Sequence, residues 1–197
     1  MTTRWARDQV AAALEQIAPL VRSHTAAVQP RLAAVLAAMA AERVGTQHFA
    51  SVSGYGHGDQ GRDTLDRVFA RVLQAEAAAV RLQFVSGTHA ITAALFGVLR
   101  PGDRLLALTG RPYDTLEEVI GLRGNGMGSL ADFGIVYDEL PLTPAGLVDE
   151  AKLDTALGAD LIAGSLIKNL GGTIAPAGGY VAGQRQLVEQ ACCRLTA

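Results

Sequence analysis

The sequence predicts an α/β protein with a mainly parallel sheet behind an N-terminal helical segment. Three observations lead there. Short apolar runs alternate with stretches of helical period from about residue 63 onward, the pattern of strand–helix units. The first fifty residues carry long alanine-rich stretches and no strand-like run. Of the 197 residues, 49% are hydrophobic but only 5% aromatic, so the core is helix-rich and made of small side chains. In sheets of this kind ligands bind at the carboxyl ends of the strands.

The elements follow in order. Residues 4–22 read as an amphipathic helix. "TAAVQPRLAAVLAAMAAERV" reads as a second, opening near Pro30. "FASVSGYGHGDQG" breaks helical period with four glycines and reads as a loop. "RDTLDRVFARVLQAE" restores it, with Leu65, Val68, Phe69 and Val72 on one face. "AVRLQFVS" reads as a strand ending at Val85, and "GTHAITAALFGVL" as a helix stopped by "RPGD". Then come strand "RLLALT", helix "YDTLEEVIGL", strand "FGIVYDEL", helix "DEAKLDTAL", strand "ADLIAGS" and a last strand "GGYVAG". The organisation is N-terminal helices and a glycine-rich loop over 1–62, then the sheet domain over 63–197.

Composition narrows the function classes. A net charge of -2 offers no basic footprint for nucleic acid and no polybasic membrane patch. "LAAVLAAMAA" is too short to span a bilayer. "MTTRWARDQV" lacks the layout of a signal peptide. The two cysteines, Cys192 and Cys193, are adjacent and offer neither a good bridge nor metal-type spacing. A cytoplasmic setting is expected, with no metal, membrane or nucleic acid.

Four places can carry chemistry. In "FVSGTHAITAAL", Ser86, Gly87 and Thr88 open a helix where free N–H groups and the positive dipole end favour an anion such as phosphate. The same residues also fit a plain N-cap, and His89 beside them fits a pocket or a half-buried helix position. The second place is Lys168, one of two lysines against fifteen arginines. An amine beside apolar neighbours can lose its proton and attack a carbonyl, which a guanidinium cannot; an edge lysine is the plain alternative. Ser165 stands three residues earlier and shares a ligand with Lys168 only if the chain turns between them. The third is Tyr113, before a helix capped by Asp114 or Thr115, where a ring can cover a flat ligand or merely pack. The fourth is "SGYGHGDQGRD", with Tyr55, His57, Asp59 and Arg62 on a permissive backbone.

Taken together, a strand–SGT–helix site, a tyrosine after the next strand and S-x-x-K after a later strand follow the chain order of fold type I pyridoxal-phosphate enzymes. "HFASVSGYGHGDQGRDTLDRVFARVLQAEAAAVRLQFVSGTHAITAALFGVLRPGDRLLALTGRPYDTLEEVIG" and "GADLIAGSLIKNLGGTIAPAGGYVAG" resemble the methionine gamma-lyase family, also called aluminium resistance proteins, relatives of cystathionine lyases. The resemblance runs from about Pro30 to the last residue. It implies an aminotransferase-like large domain and carbon–sulfur lyase activity on a sulfur-containing amino acid, with pyridoxal 5'-phosphate as cofactor. Lys168 resembles the lysine that forms the internal aldimine and moves the substrate proton. Ser86, Gly87 and Thr88 resemble the phosphate cradle, and Ser165 a further hydroxyl for it. Tyr113 resembles the tyrosine stacked on the cofactor ring. Tyr55 and Arg62 resemble the segment that reaches a neighbouring subunit's cofactor, which implies a homo-oligomer, dimer or tetramer.

The sequence departs from the family in two ways. Two strand–helix units expected near 156–158 are missing, one of which would end in the aspartate that pairs with the pyridine nitrogen. Neither Asp160, at the start of its strand, nor Asp154 replaces it. The C-terminal small domain is also absent. The missing strands belong to the middle of the family's sheet, so an incomplete large domain is expected. A catalytically inactive truncated remnant that at most binds phosphate or cofactor weakly is the alternative to an active lyase.

Overall fold

A computed structural model describes residues 2–52, 57–149, 160–170 and 175–195. Two compact units divide it, Met1–Thr46 and Gln47–Ala197. The first is one helix, α1 (Thr2–Ala41), running through Pro19 and Pro30. Two helices were expected, broken near Pro30. The alanine, leucine and arginine around both prolines propagate the helix strongly enough to carry it past a missing N–H.

In the second unit, α2 (Gln60–Val72) opens on Asp59, whose side chain accepts from the Arg62 N–H at 3.0 Å. Val68 is buried on α2 as its apolar face predicts, but Leu65 is 41% exposed and Thr64 takes its place inside. Asp66 fastens α2 to β1 (Ala77–Arg81), accepting from the Val80 N–H at 2.8 Å and the Arg81 guanidinium at 2.6 Å. Burial pushes the Asp66 carboxyl up, while Arg81 and Val80 pull it back down. The strand stops at Arg81, not at Val85. Leu82–Phe84 turn, which drops Phe84 wholly into the core.

Then come α3 (Gly87–Val98), β2 (Arg104–Ala107), α4 (Asp114–Ile120), β3 (Val136–Glu139), β4 (Leu161–Ser165), β5 (Gly179–Gly183) and α5 (Arg185–Cys192). The expected helix "DEAKLDTAL" falls on 149–157, of which 150–157 lie outside the described residues. The strands form two sheets. One has the order β1–β5–β4 and the other pairs β2 with β3. β5 is antiparallel to both neighbours, and among the described residues only β2–β3 pairs in parallel. The expected mainly parallel sheet is therefore corrected to two small sheets, one antiparallel and one parallel. After β4 the described residues form one π-helical turn, Leu166–Leu170, and no crossover helix, and β5 returns antiparallel.

α3 is the wall common to both sheets. Its Ala90, Ala93 and Ala94 pack with Phe84, Val181, Val188 and Ala191 under the three-stranded sheet. Its Leu95, Phe96 and Leu99 pack with Ile120, Leu130 and Ile135 beside β2–β3. The alanine-rich composition is used here: a Cβ on Gly97 would lie 2.7 Å from the Ala191 Cα, so α3 and α5 meet nearly backbone to backbone. The Arg100–Asp103 turn ends α3, with the Arg100 N–H donating to the Asp103 carboxylate at 2.7 Å.

Candidate active site

Ser86, Gly87, Thr88, His89, Tyr113 and Ser165, all singled out in the sequence, gather around the N-terminus of α3. Ser86 is its N-cap, with Oγ accepting from the His89 N–H at 3.1 Å. Among the described residues, the N–H groups of Gly87 and Thr88, the next two positions, donate to no protein group, which leaves them open to an anion. The N-cap and anion readings are thus compatible: the cap uses the third N–H and leaves the first two free.

Gly87 brings β4 to this end. A Cβ there would sit 2.7 Å from the Ser165 Cβ and 3.2 Å from its Cα, so only glycine lets the helix start touch the strand end. The chain does turn after Ser165. Leu166–Leu170 form one π-helical turn, and the Ser165 hydroxyl accepts from the N–H groups of Ile167 (3.2 Å) and Lys168 (3.4 Å). Its own proton is then free to donate toward the α3 terminus. The turn brings Lys168 back to the strand end with its side chain exposed.

Tyr113 arrives from the loop after β2. Its hydroxyl lies 3.0 Å from the Thr88 hydroxyl, joining that loop to α3. Tyr113 itself is the N-cap of α4 and makes no side-chain cap bond. The expected cap at Asp114 or Thr115 is corrected: Asp114 accepts from the Thr115 N–H at 2.8 Å, inside the helix. The carboxyl ends of β2 and β4 and the start of α3 therefore meet at one place, as the strand-end rule anticipates.

Sequence reasoning missed the work of His89. Its Nδ1 accepts from the Val85 N–H at 3.3 Å and its ring meets Phe84 edge-on, so it clasps the turn leading into Ser86–Gly87–Thr88. The only signal was its position directly after Thr88. Arg62 lies in the first turn of α2 with its guanidinium 3.3 Å from Asp59. Tyr55 lies outside the described residues. Asp160 opens β4, at the far end from Ser165, and is held by the Gln184 amide. Asp138 of β3 is held by Arg104 at 2.8 Å. Neither carboxylate contacts the α3 group.

Known proteins bear directly on this arrangement. The Methionine gamma-lyase family matches residues 6–157 and 150–197. This chain belongs to that family. The Bacillus subtilis protein YnbB is 38% identical to this member over 223 aligned positions, covering 82% of the chain and 53% of YnbB. That alignment is longer than the 197-residue chain, so it opens gaps in it. A Listeria innocua crystal structure, described as a candidate cystathionine beta-lyase involved in aluminum resistance, is 37% identical with a TM-score of 0.87. The match covers 97% of this chain and 62% of that one. The pyridoxal-5'-phosphate dependent protein YhfS of Escherichia coli shares the fold, with a TM-score of 0.59 over 84% of this chain at 18% identity. The family member described here thus spans about half the length of YnbB and under two thirds of the Listeria chain. Among its described residues, no helix is long and apolar enough to cross a membrane.

Proposed function

We propose that this member of the methionine gamma-lyase family is a pyridoxal-phosphate-dependent carbon–sulfur lyase for a sulfur-containing amino acid, working as a homo-oligomer. The observation that carries the reading is the meeting of two unpaired helix N–H groups, at Gly87 and Thr88, with the Ser165–Lys168 turn. The donor set suits a phosphate monoester: helix N–H groups, the Thr88 and Ser165 hydroxyls and the positive end of α3. An amine stands one turn beyond it. When bound, pyridoxal phosphate supplies an electron sink for bond breaking at the substrate α-carbon.

Each residue then has a task. Gly87 and Thr88 bind the phosphate through their N–H groups, and Ser165 and Thr88 add hydroxyl donors. Tyr113, tied to Thr88, would cover the cofactor ring. Lys168 holds the cofactor through its amine and moves the α-proton of the substrate, after which a thiol leaves from the β or γ carbon. The Listeria protein of the same family, described as a candidate cystathionine beta-lyase, supports the substrate class.

A specific observation favours a second reading. The sheet stands in two pieces, and the family matches in two segments that meet at 150–157. Both fit a large domain from which the middle strand–helix units, and with them the partner of the pyridine nitrogen, have been lost. Such a chain would bind the cofactor and eliminate slowly or not at all.

One experiment separates the two. The purified chain is mixed with pyridoxal phosphate, its visible spectrum is recorded, and borohydride is added before peptide mass mapping, beside Lys168→Ala. The expected result is a visible band and a reduced adduct on Lys168 alone. No band, or equal labelling of the variant, overturns both readings. An adduct without thiol release from cystathionine or methionine leaves the second.

A further inference from the structure

We propose that the flank of α3 carries a second anion site, which takes a small monocarboxylate between His89 and Arg194. His89, Thr92, Ala93 and Phe96 stand at i, i+3, i+4 and i+7 along α3 and so form one stripe. Arg194, just beyond α5, joins them around one open cavity of about 210 Å3. None of these five residues belongs to the Ser86–Thr88 segment, to the Ser165–Lys168 turn or to the Tyr113 loop. The site therefore stands apart from the cofactor reading.

Both polar groups are set for a negative ligand. The His89 Nδ1 accepts from the Val85 N–H, so the neutral ring carries its proton on Nε2 and offers a donor there. The edge-on contact with Phe84, which is wholly buried, holds the ring in that pose. Among the described residues, Nε2 makes no hydrogen bond, and the Arg194 guanidinium has neither a hydrogen bond nor an ion pair. A guanidinium binds a carboxylate through two parallel N–H bonds.

The remaining walls favour an acid with a short alkyl chain over a bare phosphate. Ala93 is buried, and Phe96 is braced edge-on by Phe133 with ring centroids 5.7 Å apart. Thr92 donates its hydroxyl proton back to the Thr88 carbonyl at 2.8 Å. Apolar walls with a few placed donors are the usual make-up of a small-molecule site. The volume lies below the roughly 300–1,000 Å3 of drug-sized sites, which suits an acid of about four carbons. A bound carboxylate also holds His89 in the tautomer that receives the Val85 N–H. The site thus steadies the turn into Ser86 from outside the phosphate cradle.

The test titrates the full chain, without cofactor, with sodium butyrate and follows its four histidine rings by 1H–13C NMR. The His89 signal is the one that His89→Asn removes. Sodium chloride at matched ionic strength and n-butylammonium chloride are run beside it. The expected result is a saturable shift of the His89 ring with butyrate and with neither control. Arg194→Gln should weaken butyrate at least tenfold and Arg194→Lys less, in variants whose circular dichroism matches the parent. Inorganic phosphate should leave the butyrate affinity unchanged. An equal shift with sodium chloride overturns the proposal, because it reports screening alone. An equal shift with butylammonium overturns it as well, because the cavity then ignores charge. Butyrate binding indifferent to Arg194→Gln, or displaced by phosphate, overturns it too. The comparison of salts on the parent chain decides the matter even where a variant fails to fold.

Discussion

The two sheets of the second unit are built from similar residues and end up differently packed. In the three-stranded sheet, Val181 and Ala182 of β5 are wholly buried, closed over by α2 on one face and by α3 and α5 on the other. In the two-stranded sheet, Leu106 is 45% and Val136 51% exposed, and packing is confined to one side. The candidate site takes its parts from both. Ser86–Thr88, Ser165 and Lys168 stand on the packed sheet and its helix, and Tyr113 stands on the loop of the open one. The Thr88–Tyr113 hydroxyl contact spans them. The start of α3 is therefore fixed by the core, while Tyr113 rides on the region of lower local stability.

The largest effect should come from opening the packed side. Phe84 is fully buried between Ala79, Ala90 and Val181. Phe84→Ala is expected to cost about 3–5 kcal/mol through lost burial and the cavity left behind. Leu106→Ala on β2 is expected to cost less than about 1 kcal/mol, because its side chain is already half in water. Urea denaturation checks both, and hydrogen exchange refines the contrast: β5 amides should exchange only through global unfolding, and β2 and β3 amides sooner. Equal costs for the two substitutions would dissolve the distinction.

This contrast explains what was legible in the sequence. Element existence was legible because period and punctuation are local: "GTHAITAALFGVL" is a helix between a cap and an Arg-Pro-Gly-Asp turn wherever it packs. The local geometry of the places singled out was legible for the same reason, since Ser86–Thr88 and Ser165–Lys168 each lie within one local turn. Strand direction was not legible, because β5 pairs between β1 and β4 across about a hundred residues, and only the short connection after β4 hinted at its reversal. Nor was the end of β1, since the turn at Leu82 exists to bury Phe84, a tertiary demand. The Asp66 contacts with Val80 and Arg81 leave no local mark either.

A middle-sized effect should come from the seam between helix and strand. Gly87→Ala puts a methyl 2.7 Å from the Ser165 Cβ, and neither atom belongs to a flexible chain end, so α3 or β4 must move. Overpacking of this kind is expected to cost about 1–3 kcal/mol. It should also abolish the borohydride-trapped adduct on Lys168 at cofactor levels that saturate the parent. Tyr113→Phe removes only the hydroxyl contact with Thr88, worth about 1 kcal/mol or less, and should leave the adduct in place. An adduct that survives Gly87→Ala at full occupancy would show that the cradle is not where the phosphate binds.

The smallest effect belongs to the open sheet and is read by titration. Tyr137 on β3 is pushed up to about 12, first by burial and then by its hydroxyl's 2.8 Å bond to Glu139 and that residue's charge. An ordinary tyrosine ionises near 10. The folded chain holds this proton more tightly than the unfolded one. Its contribution to stability is therefore fully present below pH 10 and is lost as pH rises from 10 to about 12. Absorbance at alkaline pH should show a late phenol step that Tyr137→Phe removes and Glu139→Gln moves down. The open sheet would then be locked at its carboxyl end, beside Arg111 and the Tyr113 loop, despite its exposed apolar face. If the late step persists in Tyr137→Phe, that end is as loose as the rest of the sheet, and Tyr113 is held by Thr88 and by α4 alone.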